Sequence, residues 1–320
     1  MAIHHLSPDT ATTHGAFNPA LEPVLTIDPG DTVHYRTLVS GWWEEPGSDS
    51  SEERKRLLPR EGVPGEGHCL VGPVAVRGAE PGMTLVVRFN RIDPGSWGET
   101  IAGGRDSHVN RWLHLTDETD RYVARWTMNW DPETVSGIGT VDFGYQVPLR
   151  PFFGVVGLPP AEPGWHPTSP PRLTGGNLDC KDLVAGSTLY LPIQVAGGLV
   201  SLGDGHGVQT DGEVSGMAIE CPIDHAEVTY DLLPDQLLTS PWAETDAGTI
   251  TFGVDEDLDK ASLKALEAMT TLLGKRYGMT TQQALVMASV VVDLRVTQIV
   301  NGVQGVHAVL PKNAIQQISK

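Results

Sequence analysis

Three pairs of polar residues at spacing two fall between positions 177 and 213: Asn177 with Asp179, Asp204 with His206, and Asp211 with Glu213. In an extended chain residues i and i+2 point to the same face, so each pair can aim both side chains into one cleft. Gly205 and Gly212 separate the last two pairs and leave the backbone uncrowded and able to bend. Carboxylate oxygens and an imidazole are the donor set of a divalent metal such as zinc, and a catalytic zinc site keeps one position open for water. Such a metal lowers the pKa of its bound water to about 7, which supplies a nucleophile for a carbonyl carbon. A spare carboxylate then serves as general base and passes the proton to a leaving nitrogen. The opposing reading is plain turn chemistry, because Asp and Gly tolerate left-handed backbone and Asp caps its own chain. No turn needs the histidine of Gly203-Asp-Gly-His206, and all three pairs share one short stretch. Together these bring a metal-bearing cleft level with the turn reading.

The other chemistry-bearing residues read more blandly. His68, in Gly67-His-Cys-Leu-Val-Gly-Pro73, sits at the entry to an apolar strand and reads as a capping or core histidine that could also be a ligand or proton donor. His4, His5 and His14 read as residues of terminal strands, and His225 as a turn residue. Cys180 beside Lys181 raises a metal-free cysteine mechanism as the lesser rival. That chemistry needs a strand-to-helix elbow, which this chain does not suggest, so Cys180 reads as a small buried residue. There is no G-x-S-x-G elbow, no P-loop, and no G-x-G-x-x-G after a strand.

Elements that could position these residues are short strands and tight turns. The chain of 320 residues carries 36 glycines and 24 prolines, well above average usage, which disfavours a long-helix fold. Turns at Pro29-Gly-Asp-Thr-Val33, Pro81-Gly-Met-Thr-Leu85 and Gly186-Ser-Thr-Leu189 each launch a β-branched or apolar run. Residues 111–116 and 122–130 read as a hairpin around 117–121, with Trp112, Trp126 and Trp130 as packing residues. Residues 44–64, mixed in charge, read as a mobile surface loop. A Pro/Gly-rich stretch from 157 to 171 suggests a soft boundary near 150, hence a β-rich domain over 1–150 and an α+β domain over 151–320. Helical spacing appears only near the end. Leu263, Leu266, Met269 and Leu273 recur at three and four, with Gly274 or Gly278 as a stop, and Thr280-Thr-Gln-Gln283 has the form of a capping box that opens a second helix through Val292.

Charge and cysteine usage bound the setting. The 22 Lys+Arg against 40 Asp+Glu give a net charge of −18, a field that disfavours nucleic acid and anionic membranes as partners. Three scattered cysteines argue against a disulfide framework and for a reducing compartment. The first fifteen residues lack the basic and apolar regions of a secretory signal. The longest apolar run, around 284–292, is far short of the ~20 residues that span a bilayer. A cytoplasmic protein is expected.

At these residues the sequence resembles the acetamidase/formamidase family. His68 to Gly82, reading HCLVGPVAVRGAEPG, is similar to the family signature H-x-x-x-GP-x-x-V-x-GAEPG. Pro151-Phe-Phe-Gly-Val-Val-Gly157, Pro170-Pro-Arg-Leu-Thr-Gly-Gly-Asn-Leu-Asp179 and Gly203-Asp-Gly-His206 with Asp211-Gly-Glu-Val214 resemble further segments in the same order. So do the opening strand at 23–33 and the closing segments Asp293-Leu-Arg-Val-Thr-Gln298 and Leu310-Pro-Lys312. The resemblance implies hydrolysis of formamide, acetamide or similar small amides to ammonia and a carboxylic acid, with γ-lactam opening in some relatives. It also implies a β-rich α+β fold, a sandwich- or barrel-like body with a C-terminal helical pair, a divalent metal (zinc by preference), and a homo-oligomer, dimer or higher. Carried over by position, the site is Asp179, Asp204, His206 and Glu213, with His68 and Asn177 nearby. Asp204, His206 and one of Asp179 or Glu213 would be ligands. The remaining carboxylate, with Glu213 preferred, would be the base, and His68 or Asn177 would polarise the carbonyl oxygen. The sequence departs where the family has Gly before its DGE. Thr210 stands there, and a β-branched residue resists positive φ, so the aim of Glu213 is open to change. Segments 44–64 and 103–128 have no evident family counterpart and would shape the substrate mouth. A non-enzymatic small-molecule binder on the same fold is the alternative of a different class.

Overall fold

The computed structural model describes residues 1–47, 54–234 and 238–316. Gly30, Gly82 and Gly186 all have φ near 90° (90°, 91° and 90°), a turn conformation that glycine adopts freely. Each turns the chain into a strand: Thr32–Thr37, Thr84–Pro94 and Thr188–Pro192. All three strands lie in one nine-stranded sheet. Its spatial order is Ile3–Leu6, Thr32–Thr37, Ile223–Leu233, Thr84–Pro94, Thr188–Pro192, Trp242–Glu244, Gly248–Asp255, Gln304–Pro311 and Asp293–Gln298. The first pair is parallel and the rest are antiparallel. Strands from both sides of residue 150 share this sheet, with Thr84–Pro94 lying between Ile223–Leu233 and Thr188–Pro192.

A second sheet carries the chemistry. Val200–His206 lies between Phe152–Gly157 and Leu70–Val76, with Gly175–Asn177 on one flank and Thr13–His14 on the other. One continuous core joins the two sheets: Val33, Leu85 and Phe89 of the first contribute with Val74, Phe153 and Leu202 of the second. Continuous burial of Leu70–Val76, Phe152–Gly157 and Val200–His206 explains their apolar runs, since both faces are covered. In the same core Tyr35 and Tyr230 hydroxyls bond each other at 2.7 Å.

Two buried histidines brace the sheets in neutral form. His14 bonds the Ala16 carbonyl and Ser201 Oγ, both at 2.8 Å, and burial lowers its pKa to about 4. His307 Nδ1 bonds Thr297 Oγ1 at 2.7 Å, and burial lowers its pKa to about 4 as well. Unfolding raises both towards 6.5, so the unfolded chain binds more protons between those values and stability falls as pH drops from about 6.5 to about 4. Each can cost up to about 3 kcal/mol. Urea melts at pH 7 and pH 4.5 should show His307→Gln losing less stability on acidification than the parent. An equal loss in both would contradict this.

A four-stranded meander, Trp97–Ala102, Tyr122–Asp131, Ser136–Val141 and Gln146–Pro148, leaves the second sheet's neighbourhood. The expected hairpin around 117–121 is not there. His108–Leu113 is a helix instead, because the Ser107 side chain accepts from the Asn110 amide and buried Asn110 donates to the Arg105 carbonyl. Trp126 and Trp130 pack on the core as expected, but Trp112 is 84% exposed on that helix. Of the 44–64 segment, residues 48–53 lie outside the described residues. The described flanks are pinned: Arg54 bonds both Glu99 oxygens at 3.1 and 2.8 Å, and the Leu57 amide donates to the Trp42 carbonyl.

The C-terminal helical pair is present as Leu258–Tyr277 and Thr281–Val291. Gly278, left-handed, ends the first, and the Thr280/Gln283 capping box opens the second. The buried stripe differs from the leucine pattern. Ala261, Ala265, Met269 and Leu273 face inward while Leu263 is 64% exposed. The reason is close approach: a Cβ on Gly253 would overlap the helix backbone at Ala261 and Ala265, and Thr251 Oγ1 donates to the Ala265 carbonyl at 2.8 Å. The helix side of that approach carries small side chains, Ala261 and Ala265. No helix among the described residues is long and apolar enough to cross a membrane. The three cysteines are free and buried.

Candidate functional site

Val200–His206 delivers Asp204 and His206 from the middle of the second sheet. Its antiparallel partner sets Phe152 opposite His206, Phe153 opposite Gly205 and Val155 opposite Gly203, which leaves Gly154 facing Asp204. Asp179 enters from the turn after Gly175–Asn177. One donor atom each from Asp179, Asp204 and His206 lie within 4.8 Å of one another, and these residues are 1%, 3% and 1% exposed. Gly154 forms the floor. A Cβ there would overlap Asp204 Oδ2 and sit 2.7 Å from both Asp179 Oδ1 and His206 Cε1. Gly205 is equally constrained on the other side, where a Cβ would lie 2.6 Å from the Cys221 carbonyl oxygen.

The convergence does not come from a flat strand. Asp179, Asp204 and Glu213 have φ of 50°, 58° and 46°. Left-handed backbone is uncommon outside glycine and is concentrated at functional positions. Asp204 and His206 do lie together, as the same-face argument for i and i+2 expects, but the backbone that brings them there is left-handed at Asp204 rather than flat. That argument fails for Asp211 and Glu213. Asp211 turns away to Arg295, at 2.7 Å from Nε, and to Lys181 at 3.2 Å. Glu213 turns back to the cluster, where Asn301 Nδ2 donates to Asp179 Oδ2 at 2.8 Å and lies 3.3 Å from Glu213 Oε2. Thr210 does not have to adopt positive φ, since the left-handed positions of that turn are Gly212 and Glu213. Its carbonyl accepts the Glu213 amide at 3.4 Å.

Electrostatics favour a cation. Burial, followed by the charge of Glu213, holds Asp179 well above the ordinary carboxylate range. Burial likewise pushes Glu213 up to about 7, with Glu220 and Asp204 adding to it. Burial opposes ionisation of Asp204, but the charges of His206 and His68 outweigh it and hold that carboxyl below the ordinary range. His206 is raised, because Glu220 and Asp204 outweigh the effect of its burial. Its Nε2 lies 3.3 Å from both Asp204 Oδ2 and Glu220 Oε1, yet neither ring nitrogen has a hydrogen-bond partner among the described residues. Asp179 Oδ1 has none either. Buried polar atoms are rarely orphaned, so Asp179 Oδ1 beside this imidazole calls for a partner. A separation of 3.3 Å is about the edge of a tetrahedron whose centre lies ~2.0 Å from each donor, the usual bond length for zinc with nitrogen or carboxylate oxygen. The residues present fit a divalent cation of that type.

The remaining candidates divide. His68 is half-buried. Thr168 Oγ1 accepts its backbone amide at 2.9 Å and lies 2.8 Å from its Nδ1, so the hydroxyl proton can go to Nδ1 and leave Nε2 as the protonated nitrogen. Asn177 donates to the Ser169 carbonyl at 2.9 Å, and its buried Oδ1 has no partner among the described residues. Cys180 is no nucleophile here, since burial pushes its thiol up to about 12. It shares a second buried group with Asp182 and His307, but both Asp182 oxygens are taken by Arg150 and Arg295, each at 2.9 Å. The sequence reading missed Glu220 and Asn301. Glu220 is held by Ser40 Oγ at 3.0 Å and the Ala218 amide at 3.0 Å, and its Oε1 reaches the same imidazole nitrogen, Nε2, that Asp204 faces. No motif marked either residue. A cavity of about 350 Å³ beside the helix Leu258–Tyr277, lined by Trp242 and Arg276, touches none of these residues.

The model of the Acetamidase/Formamidase family matches residues 161–242, the segment that carries Asp179, Asp204, His206 and Glu213. Over that segment the chain is similar to the acetamidase/formamidase family. A formamidase of Methylophilus methylotrophus is 27% identical over 248 residues, 63% of this chain and 59% of that protein. The chain thus spans about three fifths of that relative's length. A solved structure described as a predicted acetamidase/formamidase from Thermoanaerobacter tengcongensis superposes with a TM-score of 0.82 at 25% identity, over 97% of this chain and 96% of that one. A γ-lactamase from Delftia acidovorans shares the fold at a TM-score of 0.61 and 20% identity, over 96% and 90% of the two chains.

Proposed function

We propose that this chain hydrolyses the C–N bond of small amides of the formamide and acetamide class, releasing ammonia and a carboxylate. The observation that carries the reading is the buried set of Asp179, Asp204 and His206 above Gly154, with one donor atom of each within 4.8 Å of the others and Asp179 Oδ1 unpartnered among the described residues. Kinship with formamidases and acetamidases supports the reaction class. Asp179, Asp204 and His206 would hold a divalent cation, zinc by donor set, and such a cation when bound supplies Lewis acidity that polarises a carbonyl and acidifies water. Glu213, held beside Asp179 by Asn301, takes a proton from the attacking water and passes it to the leaving nitrogen. His68, with Nε2 protonated, donates to the carbonyl oxygen where negative charge develops, and the Asn177 amide is the second candidate for that role. Glu220 and Phe152 hold the imidazole in place, the latter edge-on with ring centroids 4.9 Å apart. Burial of the cluster favours a small substrate. Buried free thiols suit the cytoplasmic setting expected for the protein, and a homo-oligomer remains part of the proposal.

The test is ammonia release from formamide, acetamide and longer amides, with ring opening followed separately for γ-lactams. Turnover that falls steeply beyond acetamide supports the reading. Turnover of lactams alone would move the substrate to cyclic amides. Silence on every amide with the metal bound would favour a binding protein instead.

A further inference from the structure

A second set of metal-binding side chains lies on the outer face of the nine-stranded sheet, away from the site above. It is built across three adjacent strands at one edge. His5 of Ile3–Leu6 pairs with His34 of Thr32–Thr37, and His34 pairs with Glu227 of Ile223–Leu233. His225 precedes Glu227 by two residues on that last strand. Ligand atoms of His34, His225 and Glu227 all lie within 4.8 Å of one another, and His225 Nε2 is 3.0 Å from Glu227 Oε1. The His34 ring stands edge-on to both neighbours, with centroids 5.0 Å from His5 and 5.1 Å from His225.

This grouping asks for an explanation. His4, one residue earlier, points elsewhere and bonds Asp31 Oδ2 at 3.0 Å, so the strand could have hidden or spread its histidines. The edge-on ring contacts account for some of this packing, but they do not require a carboxylate among the rings. Burial together with His225 and His5 lowers the His34 pKa, against the pull of Glu227, so at neutral pH that ring is an uncharged ligand. The nearby cations are already engaged. Arg91, opposite Glu227 on the next strand, bonds Asp93 Oδ2 at 2.6 Å, and Arg36 lies 4.0 Å from Asp224. Glu227 is left to face the histidines.

We propose that His34, His225 and Glu227 form a second site for a borderline divalent transition metal, zinc or nickel in class, with exposed His5 as the fourth donor. Three imidazoles with one carboxylate would close a four-coordinate donor set of the structural kind, with His5 supplying the fourth donor. The ion would fasten the edge strand Ile3–Leu6 to the two strands inside it. Edge strands are otherwise the first to fray, so the expected consequence is stability rather than catalysis.

The test strips the full chain with a chelator, dialyses it against micromolar zinc, and counts bound zinc and thermal midpoint in the parent, in His34→Gln/His225→Gln and in His206→Ala. Circular dichroism shows that each variant is folded. The parent should hold two equivalents and the double variant one, with at least tenfold weaker binding at the lost site. Zinc should raise the parent's midpoint more than the double variant's, and amide hydrolysis should be unchanged in the double variant. Equal zinc content and equal midpoint shifts in parent and double variant would overturn the proposal. A single equivalent in the parent, lost in the double variant but kept in His206→Ala, would support this site and sink the proposed catalytic one. The reverse pattern would overturn this site and leave the other standing.

Discussion

Gly154→Ala should abolish amide hydrolysis and empty the metal centre while leaving the fold in place. The added methyl overlaps Asp204 Oδ2 and comes within 2.7 Å of Asp179 Oδ1 and His206 Cε1, closer than real Cβ contacts. Each of those groups is held in place. His206 is wedged by Phe152 and Glu220, Asp204 sits on a left-handed backbone, and Asp179 is tied to Asn301. They cannot withdraw together without breaking the donor geometry. Gly154 itself is not in the left-handed region, so the substitution introduces no backbone strain and tests space alone. The cost to stability should be that of overpacking, about 1–3 kcal/mol. Activity should fall by more than about 100-fold, equivalent to ~2.7 kcal/mol of transition-state stabilisation. Normal metal content and turnover in this variant would show that the space above Gly154 is not where the chemistry occurs.

Asp179→Asn should move function and stability in opposite directions. In the metal-free protein Asp179 is a carboxylate buried against Glu213 and Asp204, which is why its pKa is raised. Removing that charge relieves repulsion. Asparagine keeps the shape, accepts the Asn301 amide through Oδ1, and tolerates a φ of 50°. Metal-free Asp179→Asn at pH 7.5 should therefore be more stable than the metal-free parent, because a carboxyl whose pKa is raised on folding costs stability above its unfolded pKa. The same variant should bind the cation poorly and lose amide hydrolysis by more than about 100-fold. This is the stability–activity conflict expected where like charges are gathered for function. Urea melts of both proteins in chelator decide it. A destabilised metal-free variant would mean that Asp179 is a structural partner and not a poised ligand.

Much of this arrangement was legible in the residues. The strand openers at Gly30, Gly82 and Gly186, the capping box at Thr280 and the left-handed stop at Gly278 are local devices, and local devices show in sequence. Asp204 and His206 could be found because turn chemistry does not require a histidine. What could not be read depended on neighbours far away in the chain. Asp211 was paired with Glu213 by spacing, yet Arg295, 84 residues on, claims it. Asn301 and Glu220 reach the cluster only because their own segments fold against the second sheet. The buried stripe of Leu258–Tyr277 starts with Ala261 and Ala265 rather than leucine where Gly253 lets the helix backbone come close. Gly154 stood inside a family-like segment, but its meaning is steric and needs three side chains from two other stretches to appear.

The central claim is that Asp179, Asp204 and His206 hold a divalent cation that small-amide hydrolysis requires. The most direct measurement is ammonia release from formamide and acetamide by the chelator-stripped protein, before and after stepwise return of zinc, with His206→Ala alongside. Activity should vanish on stripping and return in the parent as zinc fills the Asp179–Asp204–His206 centre, but not in His206→Ala. Full turnover by stripped protein, or restoration in His206→Ala equal to the parent's, would contradict the account.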